Sequence, residues 1–427
     1  MVVPVSAASL VAPGKRLVAA LAALALAACA AAPRPREVPA PPPRPIIAAP
    51  APVAPTPVTP APAVRIPAPP MTPPEAAAAP APPVAAAPPA PPPPTAPAEP
   101  PPAPAAEPPG DSIALVLPLA APSYARAAEA FRDGFLAAAD AAGMKDSVEV
   151  IGHDADGVLS AFEDARARNP RVVVGPLVRD DLKVLAELGL DMPYTIALNQ
   201  LEDGAPLPPR VYSFPLAIES DARLIARRMR ADGVANAAVI STETPLMRRF
   251  ANAFAVDLRT AGGTVPDLYK LDPTVEGLTG IRRALQRKPA NALLLALDGA
   301  NAALAKPYLG VTPAYASGLV FERVPDSVAR DLDKLVLVDI PWLLTPDAPQ
   351  LANLPRAEFA SNALTRLYAF GLDAFRVARA FREGPPAQFT LDGATGVVTL
   401  DGRQFTREGR FAIFEAGRLV PLDAPPP

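Results

Sequence analysis

The sequence predicts an α/β protein whose folded part has two lobes, each a doubly wound parallel sheet between helices, preceded by a long stretch that cannot form a core. Three observations lead there. Of the 62 prolines in 427 residues, 34 fall between Ala31 and Gly110, where large apolar side chains are scarce. Proline removes backbone donors, and such a composition buries too little surface to offset chain entropy. From Asp111 onward, short wholly apolar runs alternate with amphipathic stretches, the pattern of strands covered on both faces and joined by crossover helices. The same rhythm starts again after Phe214, so the roughly 317 residues past the linker divide into two units of similar size.

The chain opens with an export signal. Lys15 and Arg16 precede the uncharged run Leu17 to Ala28, which is shorter than the roughly 20 apolar residues a bilayer span needs. The run ends in Leu26-Ala27-Ala28-Cys29, a bacterial lipobox, so residues 1–28 read as a lipoprotein signal peptide and Cys29 as the lipidation site. Acyl chains on its thiol and new amine, at about 0.8 kcal/mol per buried CH2, would anchor the chain stably. Cys29 is the only cysteine, so neither disulfides nor thiolate chemistry is expected beyond it. By resemblance to other bacterial lipoproteins, Ala30 rather than aspartate after the cysteine favours sorting to the outer membrane.

Residues 29–110 then comprise the lipid-bearing cysteine and a disordered Pro/Ala-rich linker. Fully extended as polyproline II, 80 such residues reach on the order of 250 Å, against about 50 Å for a flexible coil. The linker's four arginines (Arg34, Arg36, Arg44, Arg65) balance four glutamates (Glu37, Glu75, Glu99, Glu107), so it reads as a neutral spacer.

In the folded part, strands are expected at Ile113 to Leu117, Val148 to Gly152, Val172 to Gly175 and Tyr194 to Leu198. Helices are expected between them at Tyr124 to Ala142, Val158 to Arg168 and Asp180 to Leu188. The second unit reads as helix 218–231, strand 237–241, helix 246–261, strand 264–269, helix 277–287, strand 291–297 and, after shorter elements, a strand at Leu335 to Val338. From Glu358 to Arg382, apolar residues at spacings of three and four predict one long helix. The tail carries strand and turn signals: Phe389 to Leu391, Asp392-Gly393, Val397 to Leu400, Asp401-Gly402 and Phe411 to Phe414. The expected folded domain is 111–427, with lobe one at about 111–215 and 341–382, and lobe two at about 216–340 and 383–427.

Several chemistries are excluded. The balance of 40 basic and 43 acidic residues gives no nucleic-acid footprint. His153 is the only histidine and reads as a surface or cleft-edge group, too little for a zinc site or a triad. Asp154-x-Asp156-Gly157 departs from a calcium loop at Val158 and Ala165. Neither a phosphate-binding G-x-x-x-x-G-K-[ST] loop nor a G-x-S-x-G elbow occurs. The pairs Glu163-Asp164 and Asp180-Asp181 read as solvated helix faces. No catalytic residue, metal or cofactor is expected, and the protein reads as a non-enzyme. Charge is uneven, with 9 basic against 16 acidic residues in 111–215 and 16 against 14 in 216–340, where Arg227-Arg228-Met229-Arg230, Arg248-Arg249 and Arg282-Arg283 cluster.

At two places the residues carry a family resemblance. Val148 to Gly157, a helix, and Val172-Val173-Val174-Gly175-Pro176-Leu177 resemble the opening of type I periplasmic binding proteins, whose third strand runs into a Gly-Pro loop at the interlobe cleft. Arg366 to Phe375, with Leu391 to Gly396, Leu400-Asp401 and Arg418 to Leu422, is similar to the late helix and the ending of the LppC family of penicillin-binding protein activators. The resemblance covers nearly all of 111–422. Enterobacterial members carry a helical repeat domain ahead of it, where the proline-rich linker stands here, so that domain's role does not carry over.

The resemblance implies a two-lobed type I periplasmic binding protein-like fold with candidate cleft residues Pro176, Leu177, Arg179, Asn199 and Gln200 from lobe one, and Thr242, Glu243 and Asp298 from lobe two. It also implies an outer-membrane lipoprotein facing the periplasm that activates a class A penicillin-binding protein, a peptidoglycan synthase. The small hydroxyl residues that hold a carboxylate in amino-acid receptors are missing from the two lobe-one loops. A closed cleft is therefore expected over an amino-acid site, with a solute receptor of the Leu/Ile/Val-binding type as the alternative.

Overall fold

A strand that is apolar at every position is stable only when both its faces are covered, and the wholly apolar runs here form the centres of two sheets. The computed structural model describes residues 110–422 apart from 190–191, 203–204, 265–266 and 323–325. The expected signal peptide, Cys29 and the linker to residue 109 lie outside the described residues.

The first sheet starts with β1 (Ile113–Leu117), β2 (Val148–Gly152), β3 (Val172–Val174), β4 (Thr195–Ala197) and β5 (Val211–Ser213), connected through α1 (Ala125–Ala141), α2 (Val158–Ala167) and α3 (Arg179–Leu188). The second starts with β6 (Ala237–Ser241), β7 (Asp267–Lys270), β8 (Ala292–Ala296), β9 (Ala314–Ser317) and β10 (Leu335–Asp339). Its helices are α4 (Ile218–Ala231), α5 (Pro245–Thr260), α6 (Val275–Arg287), α7 (Gly299–Ala305) and α8 (Asp326–Asp331). All strand pairs among β1–β5 and among β6–β10 are parallel. After β10 come the short α9 (Pro341–Leu344), the long α10 (Asn362–Ala380) and five strands: β11 (Thr390–Asp392), β12 (Val397–Asp401), β13 (Gln404–Glu408), β14 (Arg410–Glu415) and β15 (Arg418–Pro421).

Those five strands correct two expectations. The sheets are mixed rather than wholly parallel, with orders β11-β12-β13-β5-β4-β3-β1-β2 and β15-β14-β10-β9-β8-β6-β7. The tail is also shared between the lobes instead of belonging to lobe two from 383 onward. β13 lies parallel to β5 through Gln404 and Ser213 and carries β12 and β11 as antiparallel neighbours, whereas β14 and β15 extend the second sheet from β10. The open edge of β5 is the reason, because an unpaired strand edge recruits whichever strand reaches it.

The chain therefore crosses between lobes three times: after β5, after β10, and at Gly409 between β13 and β14. The last two crossings touch, since a methyl group at Gly409 would stand 2.7 Å from the Asp339 carbonyl oxygen. Helix α10 begins four residues later than its apolar stripe suggests, where the Ser361 hydroxyl accepts from the Leu364 N–H. It packs on α1 with the backbones in contact, because a side chain at Gly134 would overlap the Tyr368 carbonyl and one at Gly371 the Phe131 carbonyl. Phe131 and Phe370 meet edge to face at 5.2 Å, as do Phe135 and Phe375 at 5.5 Å, at the centre of the lobe-one core. Among the described residues no helix is long and apolar enough to cross a membrane.

Candidate functional site: the interlobe cleft

Parallel strands point their carboxyl ends at the lobe junction, and a cleft of about 820 Å³ opens there. Lobe one supplies the loops after β3 and β4, the start of α3 and the face of α10 that carries Arg366 and Phe370. Lobe two supplies the starts of α4 and α5, Gly318-Leu319 after β9, and Asp339 at the end of β10. Apolar lips stand on both sides: Tyr124 of lobe one and Leu246 of lobe two are exposed.

Most of the charges lining this cleft pair with one another, while Glu219 Oε2, Arg249 Nε and Arg407 Nε are buried without a hydrogen-bond partner. Arg366 of α10 grips Asp339 with both arms, Nε to Oδ1 at 2.9 Å and Nη2 to Oδ2 at 2.6 Å. Its Nη2 also donates to the Gly318 and Phe321 carbonyls at 2.6 and 3.1 Å. Arg407 of β13 donates from Nη2 to Asp221 of α4 at 2.7 Å and from Nη1 to the Thr395 carbonyl at 3.1 Å. Burial pushes the Asp221 carboxyl above its ordinary value, an effect that Arg407 partly counters. Nearer the mouth, Glu219 of α4 lies between Arg179 of lobe one at 3.7 Å and Arg249 of lobe two at 3.4 Å.

The arrangement has a polarity. In the pairs Arg366–Asp339, Arg407–Asp221 and Arg179–Glu219 the base comes from lobe one and the acid from lobe two, opposite to the net charges of the lobes. Asp339, 3% exposed, and Arg366, 7% exposed, owe their mutual contact to the joined lobes, and separating the lobes would exchange that contact for water. The pairs form a clasp at the lobe junction.

Of the candidates expected from sequence, Leu177, Arg179 and Asn199 line the cleft. Asn199 orders the loops around it, donating to the Leu177 carbonyl at 3.0 Å and accepting from the Gln200 N–H at 3.0 Å. Pro176 and Gln200 flank the lining without joining it; Gly175–Pro176 is a cis peptide bond. The three lobe-two candidates lie outside the cleft lining. Glu243 pairs with Lys270 of β7 at 2.5 Å, Asp298 caps α7 through the Asn301 N–H at 2.9 Å, and the Thr242 N–H bonds the Ala296 carbonyl at 3.3 Å. They fall away because α4, α5 and the end of β10 build the lobe-two wall.

Sequence reasoning missed Asp339, Asp221, Glu219 and Arg407. Arg249 was visible only as part of a basic cluster, and Arg366 only as part of a family-like run. A signal existed for Arg366, a charge beside the apolar stripe of α10, and for Asp339, an acid ending an apolar strand. His153 and Asp181 also differ from expectation, being 5% and 8% exposed. His153 donates from Nδ1 to the Asp154 carbonyl at 2.7 Å, and its Nε2 stands 4.0 Å from Asp181 Oδ2. Helix α3 docks through Asp181, Leu182 and Leu185, which brings Asp181 of its first turn to His153, the residue after β2.

Comparison with known proteins fits this architecture. The family model described as "LppC putative lipoprotein" matches residues 108–275 and 273–417. The chain belongs to the LppC family. Among curated relatives of this LppC chain, the penicillin-binding protein activator LpoA of Haemophilus influenzae is 26% identical over 294 residues, covering 64% of this chain and 49% of the relative. Escherichia coli K12 LpoA is 25% identical over 298 residues, covering 59% of this chain and 44% of the relative. The chain thus spans about half the length of the curated relatives it matches. Full-length Haemophilus influenzae LpoA superposes with a TM-score of 0.62 at 25% identity, over 73% of this chain and 58% of that one. A structure from Chromobacterium violaceum, described as that of a candidate branched-chain amino acid ABC transporter, superposes with a TM-score of 0.61 at 31% identity, over 71% of this chain and 99% of that one. The type I periplasmic binding protein-like fold is therefore that of the LpoA C-terminal domain and of transporter receptors alike.

Proposed function

We propose that this protein is a non-enzymatic lipoprotein, tethered to the outer membrane through Cys29, that docks on a class A penicillin-binding protein and raises its peptidoglycan synthase activity. The observation that carries the reading is the clasp. The floor of the cleft, where a receptor of this fold would hold a solute, is crossed by ion pairs between the protein's own lobes. Such a body suits docking on a partner better than closing on a small molecule, and the curated relatives named above are penicillin-binding protein activators. Activation is then a coupling free energy of about 1–3 kcal/mol between docking and the more active synthase conformation. The linker supplies reach from the membrane. The test is reconstitution of the full chain with the class A synthases of its own bacterium. A several-fold rise in cross-linking rate is expected, and no binding to any of them would refute the proposal.

A further inference from the structure

A second cavity, of about 300 Å³, lies at the lobe junction on the other side of β13 from the cleft. Alternation along the strand turns Arg407 toward the cleft and Glu408 toward this groove. Helix α4 is divided in the same way, with Asp221 on the cleft and Leu224, Arg227 and Arg228 on the groove. Phe411 and Leu422 of lobe two and Val397 of lobe one complete an apolar floor.

The lining itself is basic, and the carboxylates that pair with two of its arginines, Asp232 and Asp392, stand outside it. Arg227, Arg228 and Arg410 line the groove against one acid, Glu408. Arg227 and Glu408 meet at 2.5 Å but are both about half exposed, with side-chain exposures of 51% and 56%, so their mutual attraction is weak. Arg410 reaches Asp392 only at 3.9 Å. Arg228 stands 5.4 Å over the Phe411 ring and bonds Asp232 through Nε at 2.8 Å, while its Nη1 is buried with no hydrogen-bond partner. A buried donor of that kind is unfavourable until an acceptor reaches it.

The volume stands at the lower end of the range for ligand sites, enough for one large side chain with its flanking backbone. The chemistry offered is an apolar slot beside three guanidiniums, which fits an aromatic or aliphatic side chain next to carboxylates. We propose that this groove docks an acidic segment of a protein partner, with an apolar side chain in the slot over Phe411 and its neighbouring carboxylates on Arg227, Arg228 and Arg410. The occupant touches both lobes one residue from the Arg407–Asp221 pair, so docking biases the clasp. The groove's chemistry stands on its own; only the choice of a synthase as the partner rests on the function proposed above.

The experiment has two arms, both with the full chain. In the first, binding of the class A synthase is compared for wild type, Arg227→Glu/Arg410→Glu and a control, Arg282→Glu/Arg283→Glu, on the exposed face of α6. The groove variant is expected to bind about tenfold more weakly with an unchanged melting temperature, and the control to bind as wild type. In the second arm, a pentapeptide with phenylalanine between two acidic residues is titrated beside its amide counterpart carrying glutamine and asparagine. Wild type should bind the acidic peptide alone, and the groove variant neither. Equal synthase binding by wild type and the groove variant overturns the groove while leaving the activator reading intact. If no synthase binds at all, the activator reading fails and the peptide arm decides: binding that the variant loses supports the groove, and no binding overturns it. A gain in peptide affinity on removing residues 423–427 would identify the chain's own tail as the occupant and would also overturn the proposal.

Discussion

Replacing Arg366 by methionine is expected to cost about 3–5 kcal/mol of stability, the penalty for stranding one partner of a buried ion pair. The guanidinium holds Asp339 through two bonds at 2.9 and 2.6 Å, satisfies the Gly318 and Phe321 carbonyls, and reaches Glu322 at 3.4 Å. The Asp339 side chain is 2% exposed, so water cannot replace the lost donors. Without Arg366 its carboxylate keeps the Ile340 N–H at 2.8 Å. Methionine fills much of the arginine stem's volume, which confines the loss to charge and hydrogen bonds. Adding Asp339→Asn should then recover at least about 1 kcal/mol, because the stranded charge is gone. Urea unfolding followed by Trp342 fluorescence is a suitable assay. Trp342 is the only tryptophan, is 4% exposed, and sits three residues past Asp339 with the Arg356 guanidinium 3.8 Å over its ring. A loss below about 1 kcal/mol for the single variant, or no recovery in the double variant, would refute the clasp as a structural element.

Gly134→Ala and Gly371→Ala should each destabilise by about 1–3 kcal/mol or more, since the added methyl meets a backbone carbonyl that cannot move aside; thermal unfolding measures both. Burial pushes Asp373 above its ordinary 3.8 despite hydrogen bonds from Thr395 and Ala394. A raised folded pKa favours the native state at low pH, so wild type should lose stability relative to Asp373→Asn as pH rises from about 3.8 through the folded value, in urea titrations at stepped pH; a difference that grows with pH instead would contradict it. Cys29→Ser should abolish palmitate labelling and release the protein from membrane fractions. Deleting half of residues 31–110 should impair synthase activation in cells while leaving binding in solution unchanged, as pull-down would show.

Much of this fold is legible in the sequence because its elements are locally periodic. The strands Ile113–Leu117, Val148–Gly152 and Ala237–Ser241 and the helix Ile218–Ala231 lie where the apolar patterns place them. The three-residue β5 is too short to show a period. The site was far less legible. Arg179 and Asn199 follow from loop positions; Thr242, Glu243 and Asp298 are expected at the cleft because strand ends usually face it, but Lys270 holds the Glu243 side chain, α7 holds that of Asp298, and the Thr242 backbone N–H bonds β8.

By itself the sequence determined the two α/β units, which follow from apolar patterns repeating along short stretches of chain, and it led to the expectation of an export signal and a spacer ahead of them. Only the tertiary structure decided that β11–β13 close the first sheet, that Gly134 and Gly371 bring two helices into backbone contact, and that the cleft is clasped. The reason is distance along the chain. Arg366 and Asp339 stand 27 residues apart, and Arg407 and Asp221 186 apart. A charge destined for a buried pair carries the same letter as one facing water, so the partner that distinguishes them appears only once the chain has folded.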